Sequence, residues 1–163
     1  MERRLTRIRA MTRRGVLRAG LGALPAGAAL ALIVEPAAAT PESMREAIQK
    51  VVDGRPIKPG RVKLDIPPLS ENGNSVSCAV TVESPMTEKD HVKAIHLFNE
   101  KNPQPNVISI HLGRRAGKAH IATRIRLSDS QTVTAIAEMS DGSFWSAAAN
   151  VIVTLGACLE DSP

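Results

Sequence analysis

Aromatic residues are almost missing from this chain of 163 residues, which has two Phe, one Trp and no Tyr. Proteins that bind nucleic acid by stacking bases need aromatic platforms, so this shortage argues against that class. The sequence also lacks a Ser/His/Asp order, a phosphate-binding loop and a paired-carboxylate motif, so we do not predict an enzyme acting alone. Hydrophobic residues at 43% and charged residues at 23% argue against wholesale disorder and fit one compact domain.

The first 39 residues have the pattern of an export signal. Residues 1–18 contain seven Arg and one acidic residue, and an apolar run rich in Ala and Gly follows at 19–34. Three alanines end at Ala39, where we predict cleavage. The pair Arg13-Arg14 precedes the apolar run and indicates a twin-arginine (Tat) signal, hence a periplasmic protein. An uncleaved membrane anchor is the alternative, but this apolar run is shorter than the ~20 residues that a bilayer requires.

The predicted mature domain carries no net charge. Removing residues 1–39 takes away seven Arg and two Glu, which leaves 14 of the 21 basic and 14 of the 16 acidic residues. The pI near 9.7 therefore belongs to the export signal and indicates no nucleic-acid partner.

The mature chain begins with a helical pattern. Pro41 suits a first helical turn, and Ser43 with Glu46 forms a possible capping box. An apolar face is formed by Met44, Ile48 and Val51, and the helix is expected to end near Asp53-Gly54.

The rest of the domain reads as short strands separated by Gly, Pro and polar turns. Alternation is clearest at 75–83, and the other predicted strands are 94–98, 107–112, 121–127, 132–139 and 145–155. Asp141-Gly142 is a hairpin signal. We therefore predict an all-β, immunoglobulin-like β-sandwich of about seven strands with a short N-terminal helix and a flexible C-terminal arm. The domain would span 40–155 and the arm 156–163.

The arm contains the most informative residue, Cys158. It follows Gly156 and Ala157, which we interpret as a hinge, so a thiol at this position could be presented to other proteins. The second cysteine, Cys78, shares the apolar face of the strand at 75–83 and is predicted to be a buried structural thiol. A disulfide between the two cysteines remains an alternative.

Several stretches of the mature chain carry a family resemblance. They are 71–74 (ENGN), 83–98 (ESPMTEKDHVKAIHLF), 123–127 (TRIRL), 140–145 (SDGSFW) and 153–156 (VTLG). Together they resemble the thiosulfate-oxidation carrier family SoxY. The resemblance implies a non-enzymatic subunit that pairs with a SoxZ-like chain. Cys158 would hold sulfur intermediates covalently while periplasmic Sox-type enzymes act on them. It also accounts for the Tat signal, because SoxZ is exported together with folded SoxY.

The end of the arm departs from the family pattern. A SoxY arm ends Gly-Gly-Cys-Gly-Gly, whereas this one continues from Cys158 with Leu159, Glu160 and Asp161. This ending resembles SoxY-related paralogues with an AACIE-type arm. The acidic residues are expected to raise the pKa of the Cys158 thiol, since like charge disfavours the thiolate. Our hypothesis is that the arm serves a different set of enzymes, with basic residues at the mouth of the cleft.

Two other interpretations of the chain's function remain open. The chain could be a non-catalytic interaction module that binds a SoxZ-like partner and uses its tail as a docking peptide, or a domain locked by a disulfide. No metal or cofactor is predicted, because the spacings of the four histidines match no common zinc pattern; these are His91, His96, His111 and His120.

Overall fold

The computed structural model describes residues 40–157, which form one helix and nine strands. Helix α1 spans Pro41–Val52. The strands are β1 (Ile57–Pro59), β2 (Val62–Asp65), β3 (Leu69–Ser70), β4 (Val76–Val82), β5 (Val92–Asn99), β6 (Asn106–His111), β7 (His120–Ile125), β8 (Gln131–Met139) and β9 (Phe144–Val153). The predicted signal residues Arg13, Arg14 and Ala39 lie outside the described residues, as does Cys158.

Helix α1 begins at Pro41, as the sequence predicted, but its capping box lies one turn earlier than the predicted box. Thr40 is the N-cap, and its hydroxyl accepts a hydrogen bond from the Ser43 amide while Ser43 Oγ accepts one from the Thr40 amide. The predicted box of Ser43 and Glu46 is therefore wrong, because Thr40 already pairs with Ser43. The helix ends at Asp53, whose left-handed backbone (φ 52°) ends the helical hydrogen bonding. Within residues 40–157, no helix has the length and apolar character needed to cross a membrane.

The strands form two sheets that face each other. The larger sheet has the order β1-β9-β8-β5-β6, with β3 also paired to β9, and the smaller sheet has the order β2-β4-β7. Neighbouring strands are antiparallel except for β1 and β3, which run parallel to β9. The prediction of an all-β sandwich with a short N-terminal helix is confirmed.

The core between the sheets follows the alternation that β4 shows in the sequence. Val76, Cys78, Val80 and Val82 are all buried, and the residues between them face outward. They pack against inward-facing side chains of the larger sheet. Burial of these apolar side chains fixes the register, since a slip by one residue would bring the polar set into the core.

A second core lies between helix α1 and the outer face of the larger sheet. Ile48 and Val52 of the helix pack on Phe98, Ile136 and Phe144 of the sheet. Both faces of β5 are therefore covered, which explains why nearly all of its residues are buried and why it shows no alternation.

The sequence predicted the long strands and missed the short ones. Strands β1 and β3 contain three and two residues, too few to show a period of two. The last strand also ends earlier than predicted, at Val153. Leu155 was expected on its apolar face but is 59% exposed, because the chain bends after the strand.

Candidate functional site at the base of the arm

The chain that leads to Cys158 is held by backbone hydrogen bonds at one end of the sandwich. The Gly73 amide donates to the Leu155 carbonyl (2.7 Å), and the Ala157 amide donates to the Leu127 carbonyl (2.9 Å). The Leu127 amide donates in turn to the Gly73 carbonyl (2.8 Å). We call these four residues, Gly73, Leu127, Leu155 and Ala157, the arm clasp. The clasp joins three separate segments of the chain at the point where the described structure ends.

Two glycines allow this close approach of backbone to backbone. A Cβ atom at Gly73 would collide with the Leu127 carbonyl oxygen and would lie 2.8 Å from the Ala157 nitrogen. A Cβ atom at Gly156 would collide with the Ser128 carbonyl oxygen. Neither glycine has a positive φ angle. The lack of a side chain, rather than an unusual backbone conformation, is what these positions require.

The chain just before the clasp is also fixed. The Thr154 amide donates to the Ser70 carbonyl (3.1 Å), and the Val153 amide donates to Ser130 Oγ (2.9 Å). The last residue of β9 and the residue after it are thus held by the segment before β8 and by the end of β3, respectively.

The clasp changes the interpretation of Gly156 and Ala157. We expected a hinge at these positions, but Ala157 is 1% exposed and its amide is hydrogen bonded. A residue so buried and bonded does not fit a freely moving segment. The last fixed point of the described chain is therefore Ala157, the residue directly before Cys158.

Cys78, the other cysteine, is 2% exposed in the core between the sheets. Burial, together with the nearby Asp65 carboxylate, raises the pKa of its thiol to about 11. The prediction that Cys78 is buried is confirmed. A thiol in this environment stays protonated at neutral pH and is a poor nucleophile.

The four histidines do not come together as a metal site. His91 Nδ1 lies 3.0 Å from the Thr87 carbonyl oxygen, and His120 Nδ1 lies 2.9 Å from Thr81 Oγ1. His96 is buried beside the exposed His111, and desolvation lowers the pKa of His96. Among residues 40–157, no three His, Cys, Asp or Glu side chains are arranged to hold a metal ion.

The clasp residues Gly73 and Leu127, and Ser128 beside them, were not singled out as site residues by the sequence. Gly73 lies in the ENGN stretch at 71–74, which contributed to the family resemblance, but nothing local indicated that it contacts the arm. This contact joins positions more than 80 residues apart, so only the folded chain reveals it.

The comparison with known families matches the part of the chain that contains the clasp. The family model of the sulfur oxidation protein SoxY matches residues 48–158, which include the clasp and end at Cys158. The chain belongs to the SoxY family. The match covers most of the described domain, so the resemblance inferred from the sequence is confirmed for the family, while the paralogue subgroup is not assigned.

Solved structures similar to this SoxY-family chain share its fold. The sulfur carrier protein SoxY from Chlorobium limicola f. thiosulfatophilum superposes with a TM-score of 0.58 at 23% identity, covering 70% of this chain and 98% of that one. A superoxide reductase (neelaredoxin) from Ignicoccus hospitalis gives 0.52 at 17% identity, covering 71% and 94%. A putative superoxide reductase from Thermotoga maritima gives 0.53 at 17%, covering 60% and 93%. No curated protein sequence matches the chain.

Proposed function

We propose that this protein is a periplasmic covalent sulfur carrier, and that the thiol of Cys158 holds sulfur intermediates while partner enzymes act on them. The observation that supports this most is the extent of the family match, which runs to residue 158 and therefore includes the cysteine. Membership of a family of sulfur oxidation proteins supports the proposal that the cargo is a sulfur compound. The protein itself would be a scaffold and not an enzyme.

The two cysteines have different roles in this proposal. Cys78 is buried, and its raised pKa keeps it protonated, so it does not compete for cargo. In the sequence, Cys158 follows directly after Ala157, whose amide is held by the clasp at one end of the sandwich. A thiol at that position is the one that an enzyme could reach without opening the core.

The chemistry of loading needs a partner. Joining the Cys158 thiol to a sulfur atom of thiosulfate forms one S–S bond and releases one proton. The reaction also removes two electrons, which a redox partner must accept. Hydrolysis of the bound group would likewise be done by partner enzymes. The carrier supplies the sulfur nucleophile and a surface that its partners recognise.

We further propose export by the Tat pathway, with cleavage after Ala39, and pairing with a SoxZ-like subunit. The twin arginines Arg13-Arg14 support the route. Export through Tat would deliver a folded complex, which suits a subunit whose partner has no signal of its own. The acidic residues Glu160 and Asp161 favour an enzyme set different from the one that receives a Gly-Gly-Cys-Gly-Gly arm.

The variant Cys158→Ser tests this function. We expect it to fold, to pair with its SoxZ-like subunit, and to lose all sulfur oxidation that depends on this protein in a strain lacking the native copy. Cys78→Ala is the matched control, because it removes the other thiol and should keep activity. If Cys158→Ser supports oxidation as well as the native chain does, the tail is a docking peptide and the carrier proposal fails.

A further inference from the structure

The clasp limits how far Cys158 lies from the domain. Ala157 is fixed by its buried methyl group and its hydrogen bond to Leu127. Consecutive Cα atoms are ~3.8 Å apart, so the Cys158 sulfur is one peptide unit and a two-bond side chain away from this fixed point. With the clasp closed, any enzyme that reaches the sulfur must also touch the domain surface around the clasp.

The most exposed large apolar side chains of the described residues lie within four residues of a clasp residue along the chain. Among residues 40–157, three large apolar residues are more than half exposed, namely Leu69 (54%), Ile152 (58%) and Leu155 (59%). Leu69 and Ile152 are direct partners in the pairing of β3 with β9, so they lie side by side. Leu155 is itself a clasp residue. We call these three residues the apolar patch.

The position and size of the patch indicate the kind of partner. Exposed apolar side chains grouped at one site mark a contact surface more often than chance exposure does. A stable subunit interface buries ~800 Å² on each partner, which is more than three half-exposed aliphatic side chains can provide. The patch therefore fits a transient contact, as expected for a carrier that meets its enzymes in turn.

A cleft that shares Ile152 with the patch contains one carboxylate, that of Glu100, and this adds a charge preference. The cleft has a volume of about 380 Å³ and includes Ile152 in its wall, together with Glu100, Thr132 and Asn150. Glu100 accepts a hydrogen bond from the Thr132 amide (3.1 Å) and makes no ion pair with another described residue. A basic side chain of the partner would complement this carboxylate.

We infer that Leu69, Ile152 and Leu155 form the docking surface for the enzymes that act on cargo bound to Cys158. The partner surface has an apolar rim around the entrance to its active site, with a basic residue placed opposite Glu100. This inference rests on the proposed function, because it assumes that Cys158 carries cargo.

Site-specific photo-crosslinking in the native periplasm tests the docking surface. The full chain is produced with p-benzoylphenylalanine at position 152 and, as the control, at position 148. Ala148 is also exposed on β9 but lies four residues further from the clasp. We expect a crosslinked protein from position 152 and none from position 148.

The crosslinked protein is then purified and incubated with the loaded carrier, and the mass of the Cys158 peptide is followed over time. We expect the crosslinked protein to act on the bound cargo and thereby to change the mass of the Cys158 peptide. The double variant Leu69→Ser/Ile152→Ser should slow the change at least tenfold, whereas Ala148→Ser should leave it unaltered. Thermal melting of each variant shows whether its fold is intact. A further variant, Glu100→Gln, keeps the hydrogen bond from Thr132. We expect it to stay folded and to bind the crosslinked protein more weakly.

Four results would overturn the docking surface. They are a crosslink only to a second copy of the chain or to its own tail, a crosslink to a permanent subunit that leaves the cargo unchanged, an equal rate for the double variant, and no crosslink at all. In each of these cases a loaded Cys158 would still uphold the proposed function. A Cys158 peptide that never carries cargo would refute both proposals.

Discussion

At the scale of single residues, the surroundings of Cys78 set the reactivity of its thiol. Cys78 is buried among valines in the sandwich core, and desolvation raises the pKa of its thiol from 9.0 to about 11. The folded state thus favours the protonated form more than the unfolded state does. Cys78 accordingly contributes to stability fully below pH 9, and that contribution is lost as the pH rises from about 9 toward 11.

The burial of Cys78 gives a test that separates the two thiols. In the folded mature protein at about pH 8, we expect iodoacetamide to alkylate Cys158 rapidly and Cys78 only after denaturant is added. Peptide mapping of the alkylated protein over time measures both rates. Alkylation of Cys78 at the rate of Cys158 in the folded protein would contradict its assignment as a buried structural thiol.

At the scale of structural elements, the clasp depends on the absence of side chains. Gly73→Ala would place a methyl group against the Leu127 carbonyl and the Ala157 amide, so the backbone must shift. We expect a loss of about 1–3 kcal/mol in the free energy of unfolding, as overpacking typically costs. We also expect faster hydrogen exchange at the Ala157 amide.

Gly113→Ala is the matched control for that measurement, because a Cβ atom at Gly113 meets no heavy atom within 4 Å and its φ angle is not positive. Chemical denaturation of both variants gives the comparison. Equal stability of the two variants, with unchanged exchange at Ala157, would mean that the clasp is not a fixed contact in solution.

The elements also show what a sequence can reveal. Strand β4 was predicted well because only its inner face is buried, which leaves a clean alternation of apolar and polar residues. Strand β5 was predicted too short, since helix α1 covers its outer face and removes that alternation. The clasp was not predicted at all, because its hydrogen bonds join residues that are close only after folding. Cys158 was found from its position and from the family resemblance, not from any local pattern.

At the scale of the whole molecule, the chain directly before Cys158 is held against the sandwich. Ala157 is the last described residue and is held by the clasp, and Leu155 belongs to both the clasp and the apolar patch. If the clasp opened while Thr154 stayed bonded to Ser70, residues 155–157 would be released and the sulfur could move ~10 Å further from the domain, at ~3.3 Å per residue. A closed clasp suits enzymes that dock on the domain, and an open one suits enzymes with a deep channel.

The central claim is that Cys158 carries cargo, and mass spectrometry of the mature protein tests it most directly. The protein is purified from its own periplasm without reductant, and the intact mass and the Cys158 peptide are measured before and after adding a reductant. We predict a mixed population with a mass increase on the Cys158 peptide that the reductant removes, and an unmodified Cys78 peptide. A uniform loss of two hydrogens that maps to a bond between Cys78 and Cys158, or an unmodified Cys158 throughout, would contradict the carrier proposal.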